Sequence, residues 1–104
     1  MTSYKKLEVI AKEIAEAYFI SIRQIRGLHL SSGELDYYSP FVKYFSDVEE
    51  AFSKLTKEYQ RIINNEYFYE AYRGWWTKLY KPSLFKRLKR DATKRFVEVF
   101  YEIH

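Results

Sequence analysis

Apolar positions recur along the chain at intervals of three and four, the period of helices that each bury one face. In the first such stretch the stripe is Leu7, Ile10, Ala11, Ile14, Ala17, Tyr18, Ile22 and Ile25, with Gly27 behind it as a stop signal. The pattern predicts a helix from Tyr4 to Arg26, about six turns long. Val9 and Ile20 fall roughly on its opposite side when stepped at about 100° per residue, so this helix is expected either at the centre of the fold or at a dimer contact. His29 to Ser39, with Ser31, Ser32, Gly33 and Asp36, reads as a loop.

Ser39-Pro40 is a start signal, a capping hydroxyl followed by proline at the first helical position. Phe41, Tyr44, Phe45, Val48, Ala51, Phe52 and Leu55 make the second stripe. Thr56 can cap a third helix, with Tyr59, Ile62 and Ile63 turned inward. Asn64-Asn65 is the expected end of that helix, because a continuation would bring Glu66 onto the apolar stripe. From Tyr67 to Tyr80 the chain is apolar nearly all round. It reads as a connector to Gly74 and a short helix over Trp75 to Leu79, and a continuous helix broken near Gly74 is the alternative. Pro82 forces a boundary, and from Ser83 a last helix runs to near the end.

That last helix divides its faces. Leu84, Phe85, Leu88, Ala92, Phe96, Val99, Phe100 and Ile103 fall within an arc of roughly 160°, and Lys86, Arg87, Arg90 and Lys94 within an opposite arc of roughly 100°. Its basic residues sit in the first three turns, where the helix dipole favours acids, so stability does not explain their order. An anionic partner facing the N-terminal half of the helix does.

Composition narrows the fold to an all-α domain. Three Gly and two Pro in 104 residues are too few for a turn-rich β-sandwich or barrel. No glycine-rich pattern is present to cradle a phosphate, so nucleotide-driven chemistry is not expected. The absence of Cys removes disulfides, thiolate zinc sites and cysteine nucleophiles, and the cytoplasm is the expected location. No apolar run is longer than Ala17 to Ile20, so neither a membrane span nor a targeting segment is expected. His29 and His104 have no ligand-spaced partner. Glu34, Asp36, Glu49 and Glu50 have no nucleophile or His beside them, so neither a metal site, a cofactor nor catalysis is expected. Aromatic residues make up 20% of the chain, and because they fall on stripes with Leu and Ile they are expected in the core. A stacking platform for single-stranded nucleic acid is the other use open to them.

The net charge of +4 is unevenly spread. Between Lys78 and Arg95 lie eight basic residues against Asp91 alone, while the rest of the chain is mildly acidic. A single cationic end on a mildly acidic body is suited to meeting a polyanion.

The run Leu55-Thr56-Lys57-Glu58-Tyr59-Gln60-Arg61-Ile62-Ile63, then Tyr67-Phe68, Trp75-Trp76, and Tyr80-Lys81-Pro82-Ser83-Leu84-Phe85-Lys86-Arg87-Leu88-Lys89-Arg90-Asp91-Ala92, resembles the region-four module of sigma factors. It is more similar still to the small phage transcriptional regulators of the ArpU kind, in which a tryptophan pair precedes a basic helix. Lys81-Pro82 replaces the family's usual Ser-plus-polar start, and no polymerase-binding region-two sequence lies upstream. The resemblance implies a C-terminal helix-turn-helix over residues 55–104 whose last helix enters the major groove. Residues 1–54 would then be a dimer or partner surface. It further implies that Ser83, Lys86, Arg87 and Arg90 face the groove, with Lys81, Lys89 and Lys94 on backbone phosphates. Arg87 and Arg90 are the expected base readers, since arginine on guanine edges is the commonest specific contact. Double-stranded DNA is the expected partner, with RNA polymerase and a second copy of the chain left open. The alternative is a non-enzymatic helical adaptor whose basic face meets an acidic protein.

Overall fold

The computed structural model describes residues 3–32 and 39–104, with side chains described for 3–27 and 39–104. Four helices, α1 (Tyr4–Ser32), α2 (Pro40–Ser53), α3 (Lys57–Ile63) and α4 (Pro82–Ile103), make an all-α fold, with no strand among the described residues. A π-helical turn, Asn64–Phe68, continues α3. Helices α1, α2 and α4 pack on one another, α3 packs on α4, and the π turn closes against α1. A single buried cluster draws on both halves of the chain, from Ala11, Ile14, Tyr18 and Val48 to Ile62, Phe68, Phe96 and Phe100.

The first helix is longer than its sequence predicts. Its 29 residues pass through Gly27 and end at Ser32, so the expected stop and the first part of the expected loop are both corrected. A stopping glycine works by taking a left-handed backbone, and among the described glycines only Gly74 has positive φ. Gly27 stays helical and costs the helix about 1 kcal/mol relative to alanine, which the surrounding turns absorb. The rest of the expected loop, residues 33–38, lies outside the described residues. Val9 and Ile20, on the second apolar face, are 54% and 45% exposed.

Helix α2 begins as its sequence predicts, with the Ser39 hydroxyl accepting from the Phe41 amide at 3.2 Å and Pro40 at the first position. Thr56 caps α3 by accepting from the Tyr59 amide at 3.3 Å. The Gln60 side-chain amide donates to the carbonyls of Phe52 and Leu55 at 3.1 and 3.2 Å, which binds α3 to the end of α2.

The α-helical part of α3 ends at Ile63 with Asn64 at the cap position, as Asn64-Asn65 predicts, but the helical path goes on. The chain widens into a π turn in which the Tyr69 amide reaches the Asn64 carbonyl at 2.8 Å, five residues back. The wider turn sets Tyr67 and Phe68 side by side in the core, 6% and 9% exposed. Glu66 is half-buried, as a continuation predicts, and its carboxylate accepts from the Trp75 indole N–H at 3.1 Å while pairing with Lys89. The helix expected over Trp75 to Leu79 is absent, and successive turns stand in its place, with the Thr77 amide on the Gly74 carbonyl at 3.0 Å and the Leu79 and Tyr80 amides on Trp76 at 2.9 Å. A segment this short between Gly74 and Pro82 gains more from ring packing than from helical bonds. Trp76 stacks on Phe85 at 4.4 Å and 5°, and Trp75 meets the same ring edge-on at 5.7 Å.

Helix α4 buries Phe85, Ala92, Phe96, Val99 and Phe100 as its stripe predicts, and Thr93 and Val97 as well. Leu84, expected inside, is 36% exposed, because the aromatic turns cover the helix on the Phe85 side.

Candidate nucleic-acid interface

Pro82 at the start of α4 fixes the direction in which the helix leaves the turns, and Phe85 anchors its first turn between the two tryptophans and Tyr80. No side chain caps this start, and Lys81 occupies the cap position with its carbonyl accepting from the Phe85 amide at 2.9 Å. A second clamp holds α3 to the same turns. Arg61 donates to the Tyr80 hydroxyl at 2.5 Å with its guanidinium 5.7 Å from the ring centre, and that hydroxyl reaches the Glu58 carboxylate at 3.3 Å.

On the base so formed, Lys81, Ser83, Lys86, Arg87, Arg90 and Lys94 are all exposed. Lys86, Arg87 and Arg90 have no carboxylate in ion-pair range among the described residues. Lys94 stands 3.9 Å from Glu98 with its side chain 64% exposed, a loose pair that costs little to exchange. Arg90 lies over the Tyr4 ring at 5.5 Å, so the first turn of α1 orients one of the two expected base readers.

Lys89 is placed differently from the rest. It is half-buried, its ammonium 3.3 Å from Glu8 on α1 and 3.2 Å from Glu66 on the π turn, and 5.8 Å from the centre of the Tyr67 ring. Burial pulls its pKa down, but Glu66 and Tyr4 outweigh burial and hold it above the ordinary lysine value. The structure therefore spends Lys89 on joining α1, the π turn and α4, and does not bring it to the exposed row. Behind it, the Tyr67 hydroxyl and Thr93 share a buried hydrogen bond of 2.8 Å, and burial pushes the Tyr67 phenol far above its usual range.

The aromatic residues split. Tyr67, Phe68 and Trp75 are buried as expected, whereas Tyr69 and Tyr72 are 68% and 75% exposed. Arg73 and Lys12, which sequence reasoning did not single out, come beside Lys86 and Arg90 at one open cleft. Arg73 reaches it through turns at Glu70 and Gly74, and Lys12 through the crossing of α1 over α4. Neither placement leaves a periodic signal. Among the described residues no helix is long and apolar enough to cross a membrane. Compared with protein-family models, with curated proteins and with solved structures, the chain matches none.

Proposed function

We propose that the chain is a DNA-binding protein, a transcriptional regulator or sigma-like factor, that lays the exposed face of α4 in the major groove. The observation that carries this reading is the row of Lys86, Arg87, Arg90 and Lys94 opposite a largely buried apolar face, with Lys86, Arg87 and Arg90 unengaged by carboxylates among the described residues. A helix of about 10–12 Å diameter fits a groove of about 12 Å. Lys81, exposed at the N-terminal end of α4, stands where a groove-inserted helix meets the backbone, and the exposed Ser83 beside it is on the groove-facing side of this reading. The resemblance of residues 55–96 to sigma region four points the same way. The acidic-protein adaptor and a contact with RNA polymerase are the outcomes that remain if duplex binding fails.

The test is duplex binding by fluorescence anisotropy over a salt series. Lys81, Lys86 and Lys94 on phosphates, with up to two more neutralised by Arg87 and Arg90, predict a log-log slope of about −3 to −5, near 0.9 per phosphate. Reversing charge at Lys86, Arg87 and Arg90 together is expected to abolish binding with the helical circular dichroism unchanged, because all three are exposed. A folded triple variant that still binds duplex DNA overturns the assignment.

A further inference from the structure

The first turns of α1, the segment 70–76 and the N-terminal half of α4 enclose an open cleft of about 980 Å³. Trp76 and Phe85 supply its aromatic wall. Phe85 is 4% exposed and Trp76 is only half-buried, so the indole is the ring available to a ligand. Lys12, Arg73, Lys86 and Arg90 line the same cleft. Of the acids there, Glu8 and Glu66 are already held by Lys89, and Glu70 is left against Lys12, Arg73, Lys86 and Arg90, so the cleft stays cationic toward anything that enters it. Glu70 and Gly74, on the segment that carries Arg73 and Trp76 to the cleft, both have left-handed backbones, with φ of 36° and 83°. For Glu70 that conformation is strained, and the fold retains it at this wall.

We propose that this cleft binds an unstacked nucleotide, its base against the Trp76 indole and its phosphate on Arg73, Lys86 and Arg90. The part of the Trp76 ring that Phe85 does not cover can stack on any base, and guanidinium groups take phosphate oxygens in pairs. Cations alone would take any small anion; the aromatic wall is what favours a nucleotide over inorganic phosphate. A free nucleotide and a nucleotide of a single strand offer the same chemistry, and the openness of the cleft admits both. The inference goes beyond duplex recognition, because Trp76 and Arg73 have no part in the groove-facing row of α4.

Tryptophan fluorescence of the full chain, titrated with ATP, with inorganic triphosphate and with a thymidine oligonucleotide, tests it. Saturable quenching by ATP or the oligonucleotide is expected, at concentrations about tenfold below those at which triphosphate acts. Tighter quenching by the oligonucleotide assigns the site to single strands, and tighter quenching by ATP assigns it to free nucleotides. Arg73→Ala, at an exposed position that carries no packing, is expected to weaken the effect about tenfold. Arg87→Glu is expected to weaken duplex binding and leave the quenching unchanged, so loss of one activity without the other shows which of the two readings has failed. The inference is overturned if neither ATP nor the oligonucleotide quenches saturably, if triphosphate binds as tightly as both, or if Arg73→Ala changes nothing.

Discussion

Lys89 and Arg90 are neighbours on α4 with different surroundings. Lys89 is enclosed by Glu8, Glu66 and the Tyr67 ring, while Arg90 faces solvent over Tyr4. Removing the Lys89 ammonium would leave two carboxylates facing each other in a half-buried site, a larger loss than that of an exposed pair. Lys89→Ala is therefore expected to destabilise the fold by about 1–3 kcal/mol in urea titrations. It is also expected to leave the salt slope of duplex binding unchanged, whereas Arg90→Ala, at an expected base reader, should weaken binding to a preferred site by about 1–3 kcal/mol with little effect on stability. A reduced slope for Lys89→Ala would return it to the phosphate contacts that the resemblance implies. The row of exposed cations could be read from α4's periodicity, because which side of a helix is apolar follows from spacing alone. The capture of Lys89 could not, since Glu8 and Glu66 reach it from two other elements.

The two described glycines show how far an element's boundaries follow local signals. Gly27 was the expected end of α1, and Gly74 the expected break in the aromatic stretch; only Gly74 takes the left-handed conformation that gives glycine its meaning. Among the described residues an added Cβ at Gly27 would meet no atom beyond its own helix backbone within 4 Å, whereas at Gly74 it would meet Thr77 Cγ2 at 3.5 Å, an ordinary contact. Gly27→Ala is expected to stabilise the protein by about 0.5–1 kcal/mol, through helix propensity. Gly74→Ala is expected to destabilise it by about 1–2 kcal/mol, through backbone strain and not through crowding. Thermal melts of the two variants should shift in opposite directions. The caps at Ser39 and Thr56 behave as read, because a hydroxyl next to a helix start needs only its own amides. The π turn and the turns over residues 73–79 were not legible in this way. Their shape is set by Phe85, Phe68 and Phe96, which belong to other parts of the chain or to the core as a whole.

Across the molecule, titratable side chains join the elements and make the fold sensitive to pH at both extremes. Burial, foremost, raises the phenols of Tyr4, Tyr18, Tyr44 and Tyr67 above 10.0, reinforced at Tyr18 by its hydrogen bond to Glu49; the carboxylates around Lys89 raise it above 10.5 despite burial. A raised folded-state pKa contributes stability that is complete below the unfolded value and is lost as pH rises through the folded one. Stability is therefore expected to fall above about pH 10, and Tyr67→Phe is expected to reduce that alkaline loss, read as helix content against pH. An unchanged alkaline transition in Tyr67→Phe would show that this phenol is not held by the fold. At the other extreme, Asp47 joins α2 to the end of α4. Burial raises its pKa, but hydrogen bonds from Lys43 at 2.7 Å and His104 at 2.8 Å prevail and hold it below the ordinary value. That contribution is present above the unfolded pKa and is lost as pH falls through the folded one, and Asp47→Asn should remove this part of the acid sensitivity.

Periodicity, capping hydroxyls and the order of charges were enough to establish the all-α class, the starts of α2 and α3, the buried face of α4 and the exposed cationic row opposite it. Each of these depends on spacing along one helix or on a side chain bonding to amides within its own first turn, and so on nothing distant. Tertiary packing alone decided that the chain after α3 widens into a π turn, that the tryptophan pair closes on Phe85 without a helix, and that Lys89 is internal while Arg73 and Lys12 come together at a cleft. These outcomes balance local preferences worth about 1 kcal/mol against burial and ion pairing between segments far apart in the chain, and the larger, non-local term prevails.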